Sequence, residues 1–271
     1  MSQLNNKHIL DVATEAANSA ANIVMDALPS PKATENKGRT DIVTDIDLRS
    51  EQKIKSIIRV QFPDHGIIAE ESGMELVESE YCWFIDPLDG TTNFVHGYPS
   101  FGISIGLFYQ NKPQVGVVIE MPAMNLYTAI TGNGSFCNNK PIHVSMTNEL
   151  VRSLLVTGFG YEHDNKWQNN MLIFRRFTDI TQGVRRLGAA AVDLCHVASG
   201  IVDGFWEFDL KPWDTAAGVL IATEAGATVS RMDGEEHSIF DDQILVSNLS
   251  LIHISEPTRR TPISYAVFCL K

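Results

Sequence analysis

The chain has 271 residues, enough to bury one large α/β core or two coupled ones. Hydrophobic residues make up 44% and charged residues 20%, a globular balance rather than a disordered or fibrous one. A formal charge of −12 argues against a nucleic-acid backbone as ligand, which needs a basic stripe, but not against a small anion approached through bound cations that reverse the local sign.

No secretory h-region opens the chain and no apolar run reaches the length of a membrane span, so the expected compartment is the cytoplasm. Cys82, Cys137, Cys195 and Cys269 show no C-x-x-C spacing and read as free thiols. Residues 5 to 28 predict a helix with Ile9, Ala13, Ala16, Ala17, Ala20, Ile23, Val24 and Leu28 on one face, ended at Pro29 and Pro31. Residues 31 to 41 are polar and predict an exposed, mobile loop. A second helix follows, with Ile54, Ile57 and Ile58 on one side and a stop before Phe62-Pro63. Thr44 with Asp47 three residues on fits a capping box, so Asp47 has a local structural role available to it. Gly66–Ala69 reads as a short buried strand ending on Glu70-Glu71-Ser72-Gly73.

The densest stretch is Trp83-Phe84-Ile85-Asp86-Pro87-Leu88-Asp89-Gly90-Thr91-Thr92-Asn93-Phe94. An apolar strand ends on Asp86, and Pro87 is expected to stop it as a central ladder member. Asp86 and Asp89 can lie on one side of a turn, Gly90 permits a tight bend, and the threonines offer hydroxyls and backbone N–H groups. Paired carboxylates of this kind suit a hard divalent cation, and the Gly-Thr-Thr segment suits a phosphate. Asp-Pro-x-Asp-Gly alone is also an ordinary turn. With Glu70 at the end of a neighbouring strand, the carboxylates collect at one sheet edge, where open α/β sheets place their ligands.

Phe101 to Tyr109 and Gln114 to Glu120 predict a hairpin turning near Asn111 to Pro113, with Tyr127 to Ile130 between further turns at 132–135 and 138–139, together an antiparallel sheet. The second half changes character. It reads as a strand at Leu154–Gly158, a helix at Trp167–Phe177, a strand at Val184–Leu187 and a small-residue helix from Gly188 to Ala198 stopped at Gly200. A strand at Gly204–Phe208, a helix after Asp214, and strands at Gly226–Ser230 and Ile244–Ser247 follow. Asp214, on residues alone, reads as an N-cap. His96 and His196 read as packed rather than catalytic residues.

The string Asp86 to Gly97 resembles the signature of the inositol monophosphatase family of Mg²⁺-dependent, lithium-sensitive phosphatases, and Trp213-Asp214 followed by Glu224-Ala225-Gly226 resembles its second signature. The likeness runs from the first helix to about Val246. It implies a layered αβαβα sandwich, α+β to α/β in class, with an N-terminal half at 1–150 carrying the metal motifs and a C-terminal α/β half at 151–253. It implies Mg²⁺ ligands at Glu70, Asp86, the Leu88 carbonyl, Asp89 and Asp214, and a catalytic group of Thr91, Asp47 and Glu70 that activates water for in-line attack. Substrate contacts are implied at Asp89, Gly90, Thr91, Ala190, Glu207 and Asp214, a water-holding role at Glu71, and a loop lysine, with Lys37 nearest. The expected activity is hydrolysis of inositol monophosphate by a homodimer, with fructose bisphosphate or another sugar or nucleotide phosphate as the alternative. From a different class, a non-catalytic partner-binding protein on the same fold is the competing reading. Residues 254 to 271, with Pro257, Pro262 and no helical period where the family has an amphipathic helix, resemble translated sequencing-adapter read-through and are expected to be non-native or disordered.

Overall fold

In a computed structural model the described residues are 6–28, 34–36, 42–75, 79–160 and 162–248. Lys37, Cys269 and the tail at 254–271 lie outside them, as does much of the segment read as a mobile loop.

The first helix, α1 (Asn6–Ala27), buries the alanine-rich face expected of it. Within the segment read as a loop, β1 (Thr34–Asn36) pairs antiparallel with β2 (Ile42–Thr44), so that reading is corrected for these three residues. Next come α2 (Asp45–Gln61), β3 (Gly66–Ala69) and β4 (Gly73–Glu75), the last a short strand that its three residues did not announce. The acidic motif occupies β5 (Tyr81–Asp89) and α3 (Thr91–His96). Pro87 does not end β5. The ladder to the next strand slips between Asp86 and Asp89, and the proline sits in that bulge, where no ladder N–H is required of it.

β6 (Phe101–Tyr109) and β7 (Lys112–Met121) turn at Gln110-Asn111, both with positive φ, one step earlier than expected, and Pro113 falls inside β7. β8 (Asn125–Ile130) precedes two three-residue strands, β9 (Ser135–Cys137) and β10 (Lys140–Ile142), in a region read only as turns. The sheet order is β10-β9-β8-β7-β6-β5-β3-β4, with only β3 and β5 parallel.

The second sheet combines β11 (Leu154–Thr157), β12 (Gly183–Arg185), β13 (Gly204–Phe208), β14 (Ala227–Ser230) and β15 (Gln243–Asn248) in the order β12-β11-β13-β15-β14. The helices of this half are α4 (Asn165–Ile180), α5 (Ala190–Ala198) and α6 (Pro212–Glu224). Asp164 caps α4 by accepting the Trp167 N–H at 2.9 Å. α1 and α2 cover one face of the large sheet, α5 and α6 fill the space between the two sheets, and α4 covers the far side of the small one. That is the αβαβα sandwich. Cys195 is buried and Cys82 and Cys137 half-buried, all three free.

Candidate active site

Two parallel strand ends start the site. Ala69 of β3 is the register partner of Ile85 of β5, and the Glu70 N–H donates to the Ile85 carbonyl at 3.1 Å, which sets Glu70 beside Asp86. In the bulge, Asp86 Oδ1 accepts the Leu88 N–H at 3.0 Å. Gly90 then turns the chain at φ 84, a conformation that favours glycine; a Cβ there would also meet the Ser100 carbonyl at 3.0 Å. The turn delivers Thr91 at the start of α3.

Thr91 Oγ1 lies 2.9 Å from Asp47 Oδ1 and 3.0 Å from the Leu88 carbonyl. A hydroxyl carries one proton, so it serves one of these acceptors at a time. The other oxygen of Asp47 closes the capping box of α2, taking the Thr44 N–H at 2.9 Å and the Thr44 hydroxyl at 2.5 Å. The two readings of Asp47 are therefore compatible, one per oxygen. Desolvation raises the Asp47 pKa, opposed by its bonds to Thr44 and Thr91.

Asp89 reaches across 101 residues of chain. Its Oδ1 accepts the Ala190 N–H at 3.2 Å and its Oδ2 the Ala191 N–H at 2.7 Å. It thus caps α5, whose own N-cap residue Ala189 supplies no side-chain bond. Of the Ala190 backbone, expected to contact substrate, the N–H is taken by Asp89 and only the carbonyl remains for it. Burial pushes the Asp89 carboxyl up to about 6 against the pull of these N–H groups.

Asp214 is not the N-cap of α6, as the residues alone suggested. It stands at the third helical position and accepts the Lys211 N–H at 2.7 Å, because Pro212 takes the first position, where a missing N–H costs nothing. Ser104, the register partner of Asp86, donates its hydroxyl to the Trp213 carbonyl at 3.2 Å, tying the start of α6 to the Asp86 level of the sheet. Glu207 on β13 is buried over Gly158, where even a Cβ would collide with its carboxyl. The Gly158 carbonyl is held by Asn170 at 2.6 Å, itself held by the Trp206 indole at 2.6 Å.

Electrostatics report the convergence. The Asp86 pKa is driven well up by burial and then by the negative charges of Glu70, Asp89 and Asp214. Asp214 is raised by desolvation and by Asp89 and Glu70, against the Lys211 N–H and charge. Glu207 is raised by burial and then by Asp214 and Asp89. Among the described residues no Lys or Arg forms an ion pair with Asp86, Asp89, Asp214 or Glu207, and no three His, Cys, Asp or Glu side chains are grouped so that they could hold a metal ion. Negative charge thus gathers around Asp86 and Asp214, opposed at Asp214 by the Lys211 charge and at Glu207 by that of Arg186.

The residue reading missed Ser50, Glu51 and Ser104. Ser50 and Glu51 extend the buried face of α2 at helical spacing, a signal present in the sequence; nothing local singles out Ser104.

The inositol monophosphatase family model matches residues 5–260. The chain belongs to the inositol monophosphatase family. It is 50% identical over 248 residues to the chloroplastic phosphatase IMPL1 of Arabidopsis thaliana, covering 89% of this chain and 67% of that protein. It is 40% identical over 242 residues to the putative Nus factor SuhB of Neisseria meningitidis serogroup A, covering 88% and 93% of the two. The inositol monophosphatase structure from Anabaena superposes with a TM-score of 0.85 at 43% identity, covering 97% of this chain and 96% of that one. The chain is thus a phosphatase of this family on the fold of its solved members. Among the described residues no helix is long and apolar enough to cross a membrane.

Proposed function

We propose that this family member hydrolyses a polyol phosphomonoester, inositol monophosphate first, with Mg²⁺ held by Glu70, Asp86, the Leu88 carbonyl, Asp89 and Asp214. The observation that carries the reading is the convergence of Glu70, Asp89 and Asp214 on Asp86, whose carboxyl their charges raise, with no ion pair to Asp86, Asp89 or Asp214 among the described residues. The donor set is all oxygen and highly charged, which fits a hard divalent cation rather than a soft one. When bound, such cations polarise phosphoryl oxygens and lower the pKa of water.

The chain's own groups do the rest. Thr91 Oγ1 passes its proton toward Asp47 Oδ1 at 2.9 Å and presents a lone pair to the attacking water. Thr44 fixes the other Asp47 oxygen, so the carboxylate cannot rotate away. Glu70 stands beside Asp86 as a second acceptor for the water proton. The backbone N–H groups of Gly90 and Thr91, at a helix start without intrahelical acceptors, receive phosphate oxygens. Glu207, Asp89 and Asp214 accept hydrogen bonds from substrate hydroxyls, and Ala190 contributes its backbone.

Phosphate release from inositol 1-phosphate, fructose 1,6-bisphosphate and 3′-phosphoadenosine 5′-phosphate, with and without Mg²⁺, tests the reading. Release from inositol 1-phosphate that requires Mg²⁺ is the expected result; preference for the bisphosphate moves the substrate assignment to that sugar. Asp89→Asn should lower kcat/KM by about 10²-fold or more, the scale of losing one charge-stabilising group. The kinship to a protein named as a Nus factor supports a second reading, partner binding on the same fold. Absence of release from all three esters would favour it.

A further inference from the structure

The buried face of α2 is polar at one end and apolar at the other. Asp47, Ser50 and Glu51 share it with Ile54 and Ile58, all five buried. Each polar side chain reaches a different segment. Asp47 meets Thr91 in the first turn of α3. Ser50 Oγ donates to the Pro87 carbonyl at 2.7 Å, inside the β5 bulge. Glu51 Oε2 accepts the Glu71 N–H at 2.8 Å, in the turn after β3. Lys55, one helical turn on, lies 3.5 Å from Glu51 and 2.8 Å from the Ser72 hydroxyl, so α2 grips that turn twice.

These three segments hold Thr91, the Asp86–Asp89 pair and Glu70. Pro87 has no ladder partner, because the register slips between Asp86 and Asp89, so Ser50 gives its buried carbonyl the partner that the sheet does not. Glu51 likewise holds the residue next to Glu70. Both bond to backbone beside the acids.

We infer that Ser50 and Glu51 are positioning residues, and that α2 is the template setting the three acid-bearing segments in register with one another. The inference rests on the reading of those acids as cation ligands. Groups that orient ligands from behind are worth about 10- to 100-fold in metal affinity or activity. Ser50→Ala removes one hydroxyl, and Glu51→Leu removes the acceptor of the Glu71 N–H. Ser50→Thr and Glu51→Gln keep the donor and the acceptor.

The deciding measurement is the Mg²⁺ concentration at half-maximal rise in Tm, taken without substrate, with kcat measured alongside. Ser50→Ala and Glu51→Leu should raise that concentration and lower kcat, each by about tenfold. Ser50→Thr and Glu51→Gln should stay within about twofold of the parent on the same scale. A fall in Tm at zero Mg²⁺ with unchanged half-saturation would mark both residues as merely structural and overturn the inference. Should Glu51→Leu not fold, Ser50→Ala decides alone. A parent protein with no Mg²⁺-dependent Tm rise would instead sink the cation reading and take the inference with it.

Discussion

Gly116→Ala is expected to weaken both the fold and the site, through one helix. Gly106 and Gly116 are register partners across β6 and β7, and α6 lies directly on the pair. A Cβ at Gly116 would stand 2.8 Å from the Ala217 carbonyl oxygen; one at Gly106 would stand 3.0 Å from the Ala216 Cβ and 3.1 Å from the Ala217 nitrogen. Ordinary contact is about 3.5 Å, so the helix must lift by roughly half an ångström, and no rotamer change relieves a clash with backbone. Neither glycine has a positive φ, so the substitution tests the clash and not backbone strain. Overpacking of this kind costs about 1–3 kcal/mol, and each kcal/mol lowers Tm by roughly 2–4 °C in a chain of this size. Asp214 lies three residues before Ala217 on the lifted helix, while Asp86 and Asp89 stay on β5. A shift of this size should lower kcat/KM by about tenfold, since a full ångström costs on the order of a hundredfold. Differential scanning calorimetry and phosphate-release kinetics read the two effects. Gly160→Ala is the control, because its Cβ would meet only the Asp209 side chain at 3.4 Å. A Gly116→Ala protein with the parent's Tm and kcat/KM would refute the idea that this glycine pair sets the height of Asp214.

Burial holds the His65 pKa down to about 4, while its ring stacks between Phe62 and Tyr81 and faces the Trp83 indole N–H at 3.1 Å. The unfolded chain takes up that proton near pH 6.5 and the folded one only near 4, so His65 makes stability fall as pH drops through this window. Urea midpoints of the parent and of His65→Gln at pH 7 and 4.5 should show the parent losing more; equal losses would contradict this. Asp193 on α5 is fully buried with neither carboxyl oxygen hydrogen-bonded, and burial together with Glu207 and Asp89 raises its pKa well up. The folded state therefore keeps a proton that the unfolded state sheds above about pH 3.9, and stability falls as pH rises from there. In EDTA, Asp193→Asn should raise Tm by an increment that grows from pH 4 to 8; a constant or negative increment would count against the assignment. Burial pushes the Cys82 thiol up to about 11 and raises Cys195 well above its ordinary value, so iodoacetamide at pH 8 should label both far more slowly in the folded protein than in urea.

What the sequence disclosed and what it withheld divide along physical lines. A bounded apolar run such as β3, an alternating strand such as β6, and helices with a small-residue face such as α1 and α5 are local patterns and could be read directly. β4, β9 and β10 could not, because three residues are too few to carry a period. Pro87 misled because a proline in a strand normally marks an edge or an end, and only the partner strand reveals the bulge that accommodates it. Asp214 misled because an N-cap and a third-position acid look alike until Pro212 is given its place. The carboxylates themselves were visible as strand-end acids. Their supports went unread: the spacing that puts Ser50 and Glu51 on the face of Ile54 and Ile58 is in the sequence, but their polar type hides it, and nothing near Gly106 or Gly116 in sequence says that a helix will rest on them.

The supports matter because the acids work against the fold. Glu70, Asp89 and Asp214 raise the Asp86 pKa, and Asp89 and Glu70 raise that of Asp214, so bringing these acids together costs folding free energy until a cation or protons arrive. The surrounding structure must hold them against that repulsion, and it does so with contacts that do not depend on the charges. α2 fixes three segments from behind, Asp89 is bound by the first N–H groups of α5, and the glycine pair lets α6 settle close to the sheet. α5 and α6 are in turn locked together where a Cβ at Gly218 would come within 2.6 Å of Leu194 Cδ1. The acids thus come from both halves of the chain, but every one of them is set by the single helical layer between the sheets or by α2 on the outer face. Substitutions in those layers should therefore degrade cation affinity and turnover at a smaller stability cost than equal volume changes at Ile173 and Phe177, which α4 buries against the small sheet.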